Sequence, residues 1–360
     1  MSSYNIAVVP GDGIGPEVCQ ATINVIQTAL DRDLLNFTYY PAGATHYQET
    51  GVALPSSTVE GCRNADAILL GAAGLPGVLY EDGTEAGQDT TLKLRFELDL
   101  YANIRPIKLY DGIQSPLKGD PKIDYVIVRE NTEGLYASRG KGIVETGIRA
   151  TDTMEITRKG VERIVRQAAE LCMQRNGAPA DGKHRVTICD KSNVLRSFAF
   201  FREVANQVLA DYPDIEIDYA LIDALSMYLV TQPEYYDVIV CENLLGDILS
   251  DLGAATIGGL GMADSSEIGD QHALFQASHG SAPDIAGQNL ANPTATILSG
   301  ASMLEWLGRN HQDPSLLKTA TKIRAAVIDI LRDDELKTKD LGGSSGTNEF
   351  VEAICKLISH

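Results

Sequence analysis

Three apolar runs in this chain end on residues equipped for chemistry. Tyr125–Val128 is followed by Arg129-Glu-Asn-Thr-Glu-Gly-Leu-Tyr136, and Val186–Cys189 by Asp190-Lys191-Ser-Asn193. Val238–Cys241 is followed by Glu242-Asn243-Leu-Leu-Gly-Asp247-Ile-Leu-Ser-Asp251. Asp247 and Asp251 stand four apart, so on a helix both carboxylates face one way. They form either a solvated acidic face or a cation site, because like charges on one face repel unless a positive charge lies between them. Oxygen donors with no neighbouring Cys or His suit Mg2+ or Mn2+. Arg95 and Arg105 bracket the stretch LRFELDLYANIRP, with Arg129 further on. Three planar forks suit a di- or tricarboxylate, although each arginine alone reads equally well as an ion-pair partner. Lys191 is either a partly desolvated base or a snorkelling surface lysine. Tyr136 is either a general acid or a packing residue. His279-Gly-Ser-Ala-Pro-Asp284 is a turn-rich loop whose backbone donors suit a phosphate or an adenine.

These residues need a scaffold, and the hydrophobic pattern supplies one. Asn5–Val9, Asp66–Leu70, Tyr125–Val128, Val186–Cys189 and Val238–Cys241 read as buried strands. Residues 16–30, 157–175, 198–210, 223–230, 245–252, 293–307 and 315–332 read as helices. Such alternation predicts an α/β protein with a largely buried central sheet, and the carboxyl ends of its strands are where sites gather. Gly253–Gly261 reads as a crossing segment between domains. Gly11-Asp-Gly-Ile-Gly-Pro-Glu17 follows the first strand but fails the GxGxxG dinucleotide fingerprint, since position 16 is Pro16. Proline there fits the first turn of a helix, which gives a strand–turn–helix without Rossmann spacing.

A length of 360 residues suits two domains. The net charge of −19 argues against nucleic acid and anionic membrane surfaces. An anionic substrate then needs a local arginine cluster working against the global field. The six cysteines are scattered with no CxxC pair, which suits reduced thiols and the cytoplasm. The amino terminus has no secretory pattern, and no apolar run approaches the roughly 20 residues of a membrane helix.

Taken in order, VVPGDGIGPEV, LRFELDLYANIRP, VIVRENTEGLY, DKSNVL, NLLGDILSD, HGSAPDIAG, NLANPTATI and TKDLGG resemble the β-decarboxylating dehydrogenases. That family comprises isopropylmalate, isocitrate, homoisocitrate, tartrate and D-malate dehydrogenases, and the resemblance runs from about residue 5 to 352. It implies an isopropylmalate dehydrogenase-like two-domain α/β fold with a central mixed sheet, not a classical Rossmann fold. A discontinuous large domain, 1–100 plus 256–360, is expected to carry most NAD contacts. The smaller domain, 101–255, is expected to carry the dimer interface, with substrate in the cleft.

By the same resemblance, Arg95, Arg105 and Arg129 hold the substrate carboxylates, and Thr91, Asn193 and Val194 also face the substrate. Asp223, Asp247 and Asp251 hold Mg2+ or Mn2+, and Lys191 and Tyr136 are the base and the acid. Lys191 and Asp223 are implied to serve the partner subunit, giving a homodimer with shared active sites. His279, Gly280, Ser281, Ala282, Asp284 and Asn292 are implied to bind the cofactor. Asp284 stands where NADP-using relatives place a lysine, so NAD is expected.

Two departures bear on function. Relatives read Phe-Glu-Pro-Val/Ile before HGSAP, whereas this chain has Phe275-Gln-Ala-Ser278, which removes a charge near the expected nicotinamide. Isopropylmalate enzymes place leucines before the first arginine, whereas Gln88-Asp-Thr-Thr-Leu92 is polar, with Thr91 in a leucine's place. That stretch points to a (2R)-malate with a small or hydroxylated substituent on carbon 3, as in D-malate or tartrate. The alternatives are 3-isopropylmalate, isocitrate and homoisocitrate. A non-catalytic regulatory subunit of a hetero-oligomeric dehydrogenase is the reading from another class. The presence of Tyr136, Lys191, Asp223, Asp247 and Asp251 speaks against it.

Overall fold

The computed structural model describes residues 3–30 and 34–359. The strands open with β1 (Tyr4–Gly11), β2 (Leu35–Tyr39), β3 (Ala67–Ala72), β4 (Ala102–Lys108), β5 (Asp124–Glu130) and β6 (Ile143–Glu145). They continue as β7 (Arg149–Thr151), β8 (Arg185–Asp190), β9 (Glu216–Leu221), β10 (Val238–Cys241), β11 (Asp264–Ile268) and β12 (Ala273–Ala277). The five apolar runs fold as β1, β3, β5, β8 and β10. Strands β6 and β7 form an exposed antiparallel hairpin.

The chain divides into two units. One takes in the described residues of Met1–Leu100, Tyr110–Gln114 and Gly258–His360; the other comprises Tyr101–Leu109 and Ser115–Ile257. The excursion at 110–114 left no mark in the hydrophobic pattern. In the first unit the strand order is β2-β1-β3-β12-β11, parallel except for β11 against β12. In the second it is β4-β5-β10-β8-β9, parallel except for β4 against β5. Strands β3, β8 and β10 are buried along their whole length, which is why their sequences run apolar without alternation.

The helix Arg158–Gln174 shows how the second unit covers its sheet. Val161, Ile164, Val165, Ala168 and Cys172 recur at helical spacing on its buried face, and Thr157 caps its first turn by accepting from Gly160 N. The helix Asn243–Thr256 carries Gly246, where an added Cβ would lie 2.6 Å from Arg129 Cγ. Only glycine lets the arginine pass beneath that helix.

In the first unit, the Gly11–Glu17 segment has a structural task. Gly13 is left-handed (φ +56°), and a Cβ there would strike the Ser281 carbonyl. Ile14 N donates to Ser281 O at 2.8 Å, so the segment seats the HGSAP loop. The Asp12 carboxylate accepts from the backbone N–H groups of Ala44, Thr45 and Gly74 at 2.7–2.8 Å. Pro16 stands in the first turn of the helix Gly15–Ala29, as its position predicts. All six cysteines are free thiols, and among the described residues no helix is long and apolar enough to cross a membrane.

Candidate active site

The second unit brings together five of the residues marked in the sequence. Arg129, at the end of β5, is 1% exposed. Its Nε and one terminal nitrogen donate to Asn243 Oδ1 at 3.0 and 2.7 Å, and its other terminal nitrogen donates to Asp247 Oδ1. Arg105 on β4 reaches the same Asp247 oxygen at 3.3 Å and Asp251 Oδ1 at 3.9 Å. Tyr136 donates its hydroxyl to Asp247 Oδ2 at 2.8 Å, and its ring lies 5.4 Å from the Arg129 guanidinium carbon. Asp247 and Asp251 share one face of the helix Asn243–Thr256. Burial pushes the Asp251 carboxyl up; Arg105 opposes this, and the Asp247 charge adds to it. Buried guanidinium groups are tolerable only with such partners, since removing one partner costs about 3–5 kcal/mol.

Lys191, Asn193 and Val194 lie in the turn after β8, with Val194 67% exposed. Lys191 Nζ donates to Asp223 Oδ1 at 2.5 Å, and this contact holds the exposed Asp223 carboxyl below its ordinary range. Within one chain, Asp223 therefore pairs with Lys191, while Asp247 pairs with Arg129, Arg105 and Tyr136.

In the first unit, Arg95 closes the helix Gln88–Glu97, and half-buried Thr91 sits one turn earlier. Arg95 is buried against Glu267 of β11: its Nε lies 3.0 Å from both carboxylate oxygens and a terminal nitrogen 2.6 Å from Oε1. Asp89 accepts from the Tyr80 hydroxyl at 2.8 Å and pairs with Lys93 at 2.6 Å. In the HGSAP loop, the Ser281 hydroxyl is spent on Gly74 O, and Ala282 adopts a left-handed φ of +37°. Gly280 and Asp284 are exposed. Asn292 is spent internally: its Nδ2 donates to Asp340 Oδ2 at 3.0 Å, and its Oδ1 accepts from Thr294 N at 3.0 Å.

A family model described as isocitrate/isopropylmalate dehydrogenase matches residues 5–354. The chain belongs to that family. It is a β-decarboxylating dehydrogenase. It is 45% identical to a 3-isopropylmalate/3-methylmalate dehydrogenase of Methanocaldococcus jannaschii, over 99% of both chains. It is also 45% identical to the 3-isopropylmalate dehydrogenase of Thermobifida fusca, over 99% of this chain and 98% of that one. Among solved structures, the isocitrate dehydrogenase of Methylococcus capsulatus superposes with a TM-score of 0.87 at 37% identity, covering 99% of this chain and 100% of that one.

Within this family the Gln276 departure takes on a different meaning. Gln276 Nε2 donates to Glu267 Oε1 at 2.7 Å. Gln276 thus meets a carboxylate on the neighbouring strand β11 that also grips Arg95. The sequence reading assigned no role to Glu267, which is buried completely. It also missed Asn243 and Ser250, which orient Arg129 and Arg105. Asn243 stands in a quoted motif, and its place at the helix start was the available signal.

The residues present suit both groups that the family implies. Asp247 and Asp251 are hard oxygen donors, 36% and 59% exposed, whose mutual repulsion a dication would relieve. In the HGSAP loop, His279 Nε2 and the neighbouring Ser278 Oγ are buried without a hydrogen-bond partner. His279 Nδ1 faces Gly280 O at 2.9 Å. Orphaned buried polar atoms beside exposed Gly280 and Asp284 fit a loop that awaits a nucleotide.

Proposed function

We propose that this dehydrogenase catalyses NAD- and divalent-metal-dependent oxidative decarboxylation of a (2R)-malate with an alkyl group on carbon 3. The products would be a 2-oxo acid and CO2, and 3-isopropylmalate is the reference substrate. The observation that carries this reading is the convergence of Arg105, Arg129 and Tyr136 on Asp247, with Asp251 one turn further on. The names of the relatives support an alkyl substituent over the hydrogen of D-malate or the hydroxyl of tartrate. Asp89 is offset by Lys93 and Tyr80, so its charge is no bar to an apolar group near Thr91.

A cation held by Asp247 and Asp251 would acidify the substrate hydroxyl and offset the charge that develops as CO2 leaves. With Asp247 holding a cation, Arg105 and Arg129 would be available to pair with substrate carboxylates, whereas Arg95, expected to do the same, is held by Glu267. The Tyr136 hydroxyl, which donates to Asp247 here, would serve as the acid that protonates carbon 3. Lys191 and Asp223 are assigned to the active site of a second copy, which makes the working unit a homodimer with shared sites. Lys191 would take the hydroxyl proton there, and Asp223 would help hold the cation. NAD+ would accept the hydride, and the exposed Asp284 carboxylate favours a free 2′-hydroxyl over a 2′-phosphate.

The test is kcat/KM for NAD+ reduction with 3-isopropylmalate, D-malate, both chiral tartrates, isocitrate and homoisocitrate. Burying an isopropyl group should favour 3-isopropylmalate over D-malate by about tenfold or more. A preference for D-malate or tartrate would return the assignment to the polar pocket that Gln88–Leu92 suggests.

A further inference from the structure

The second unit carries another group of ligand-type side chains at the opposite edge of its sheet. Arg129, Lys191 and Asp247 lie at or beyond the carboxyl ends of β5, β8 and β10. Cys172, His184 and Asp237 gather instead where β8 and β10 begin. Cys172 lies in the last turn of the helix Arg158–Gln174, His184 directly precedes β8, and Asp237 directly precedes β10. The cysteine sulfur, a histidine ring nitrogen and an aspartate oxygen all lie within 4.8 Å of one another.

The hydrogen bonds fix the carboxylate and the tautomer of the histidine. Cys172 Sγ donates to Asp237 Oδ2 at 3.2 Å. Arg175 Nε holds the other oxygen, Oδ1, at 2.6 Å, and a second Arg175 nitrogen is anchored on Asp124 at 2.8 Å. The carboxylate is therefore fixed with Oδ2 toward the sulfur. His184 Nδ1 lies 2.8 Å from the carbonyl oxygen of Cys172. A carbonyl only accepts, so that contact places the ring proton on Nδ1 and leaves a lone pair on Nε2. A ligating histidine is usually held in this way, its second nitrogen bonded to a backbone carbonyl.

We propose that Cys172, His184 and Asp237 form a binding site for a divalent cation of the zinc class, separate from the catalytic carboxylates. A thiolate, an imidazole and a carboxylate select zinc-like ions over Mg2+ or Mn2+, just as the all-oxygen Asp247–Asp251 pair does the reverse. Binding exchanges the thiol proton for the metal: the S–H bond breaks, a sulfur–metal bond forms, the proton passes to water, and no electron moves. Cys172 and Asp237 are fully buried and His184 only partly, so the ion enters on the histidine side. The Arg175 guanidinium held against Asp237 opposes a cation and makes binding reversible, while the Arg185 backbone N–H donates to Asp237 Oδ2 at 3.4 Å. The bound ion would tie the end of the helix Arg158–Gln174 to the starts of two strands, stiffening the unit without touching the reacting groups.

The experiment titrates the full-length protein with Co2+ in the presence of excess Mg2+, which fills the carboxylate pair. A thiolate-to-cobalt charge-transfer band is expected, displaced by Zn2+ and absent in Cys172→Ser. In His184→Ala, a change at a partly exposed site, apparent affinity should fall about tenfold or more. Zn2+ should raise the Tm of the parent but not that of His184→Ala. Absence of the band in the parent, or a band that survives unchanged in Cys172→Ser, would overturn the assignment. These readouts do not depend on the substrate, so they stand apart from the proposed reaction.

Discussion

Asn243→Ala tests whether Arg129 is held by the first residue of the helix that crosses over it. Asn243 Oδ1 accepts two hydrogen bonds from Arg129, at 3.0 and 2.7 Å, and its Nδ2 donates to Glu133 O at 3.0 Å. Hydrogen bonds to a charged group contribute about 1.5–3 kcal/mol each, so removing two at the low end costs about 3 kcal/mol. At about 1.4 kcal/mol per decade, that loss is about 100-fold if the orientation of Arg129 matters fully in the transition state. The assay is kcat/KM for 3-isopropylmalate at saturating NAD+ and Mn2+, run beside urea unfolding of the same samples. The expected result is a loss of about two decades in kcat/KM with a lowered but cooperative unfolding midpoint. Asn243→Asp keeps the acceptor but offsets the arginine's charge, so it should fold well and still bind substrate weakly. If Asn243→Ala retained kcat/KM within about twofold, the claim that Asn243 positions a substrate-binding arginine would be refuted.

Three further outcomes follow from the same geometry. Tyr136→Phe removes the hydroxyl held by Asp247 and should lower kcat by about 10²–10⁴-fold with little change in KM, as read by steady-state kinetics. A mixture refolded from Lys191→Met and Asp247→Asn, each inactive alone, should regain about one quarter of parental activity, because half of randomly paired dimers carry one intact shared site; no recovery would place all the groups in one chain. Burial raises the Asp264 carboxyl to about 6, against about 3.9 when unfolded, so the folded state prefers the protonated form. Stability is then lost as pH rises from about 4 to about 6. Asp264→Asn should be more stable than the parent by about 2–3 kcal/mol at about pH 8, with the difference gone near pH 4, as read by urea midpoints.

Much of the second unit was legible in its sequence. Strands β5, β8 and β10 are buried, so their apolar runs announced themselves, and polar residues at the ends of β5 and β10 are among those that meet at Asp247. The four-residue spacing of Asp247 and Asp251 needed only helical geometry to be read. What stayed hidden depended on contacts across the chain. Glu267 grips Arg95 from 172 positions away, and its burial as a charged residue breaks the hydrophobic pattern rather than following it. Asn243 and Ser250 are small polar residues whose meaning appears only when β4 and β5 pass under their helix. Strands β2 and β9 escaped because their faces are partly exposed and mixed, which left neither a solid apolar run nor clean alternation. The Rossmann-like glycines were correctly discounted on Pro16. Their positive task, seating the Ser281 loop, needed the fold.

Oxidation coupled to decarboxylation at the Asp247–Asp251 carboxylates is the central chemistry proposed for this enzyme. The most direct test measures NADH and released CO2 together, with the purified chain, 3-isopropylmalate, NAD+ and Mn2+, and again with EDTA. One CO2 per NADH, with both silenced by the chelator, is the predicted result. NADH formed without CO2, or turnover indifferent to EDTA, would contradict it.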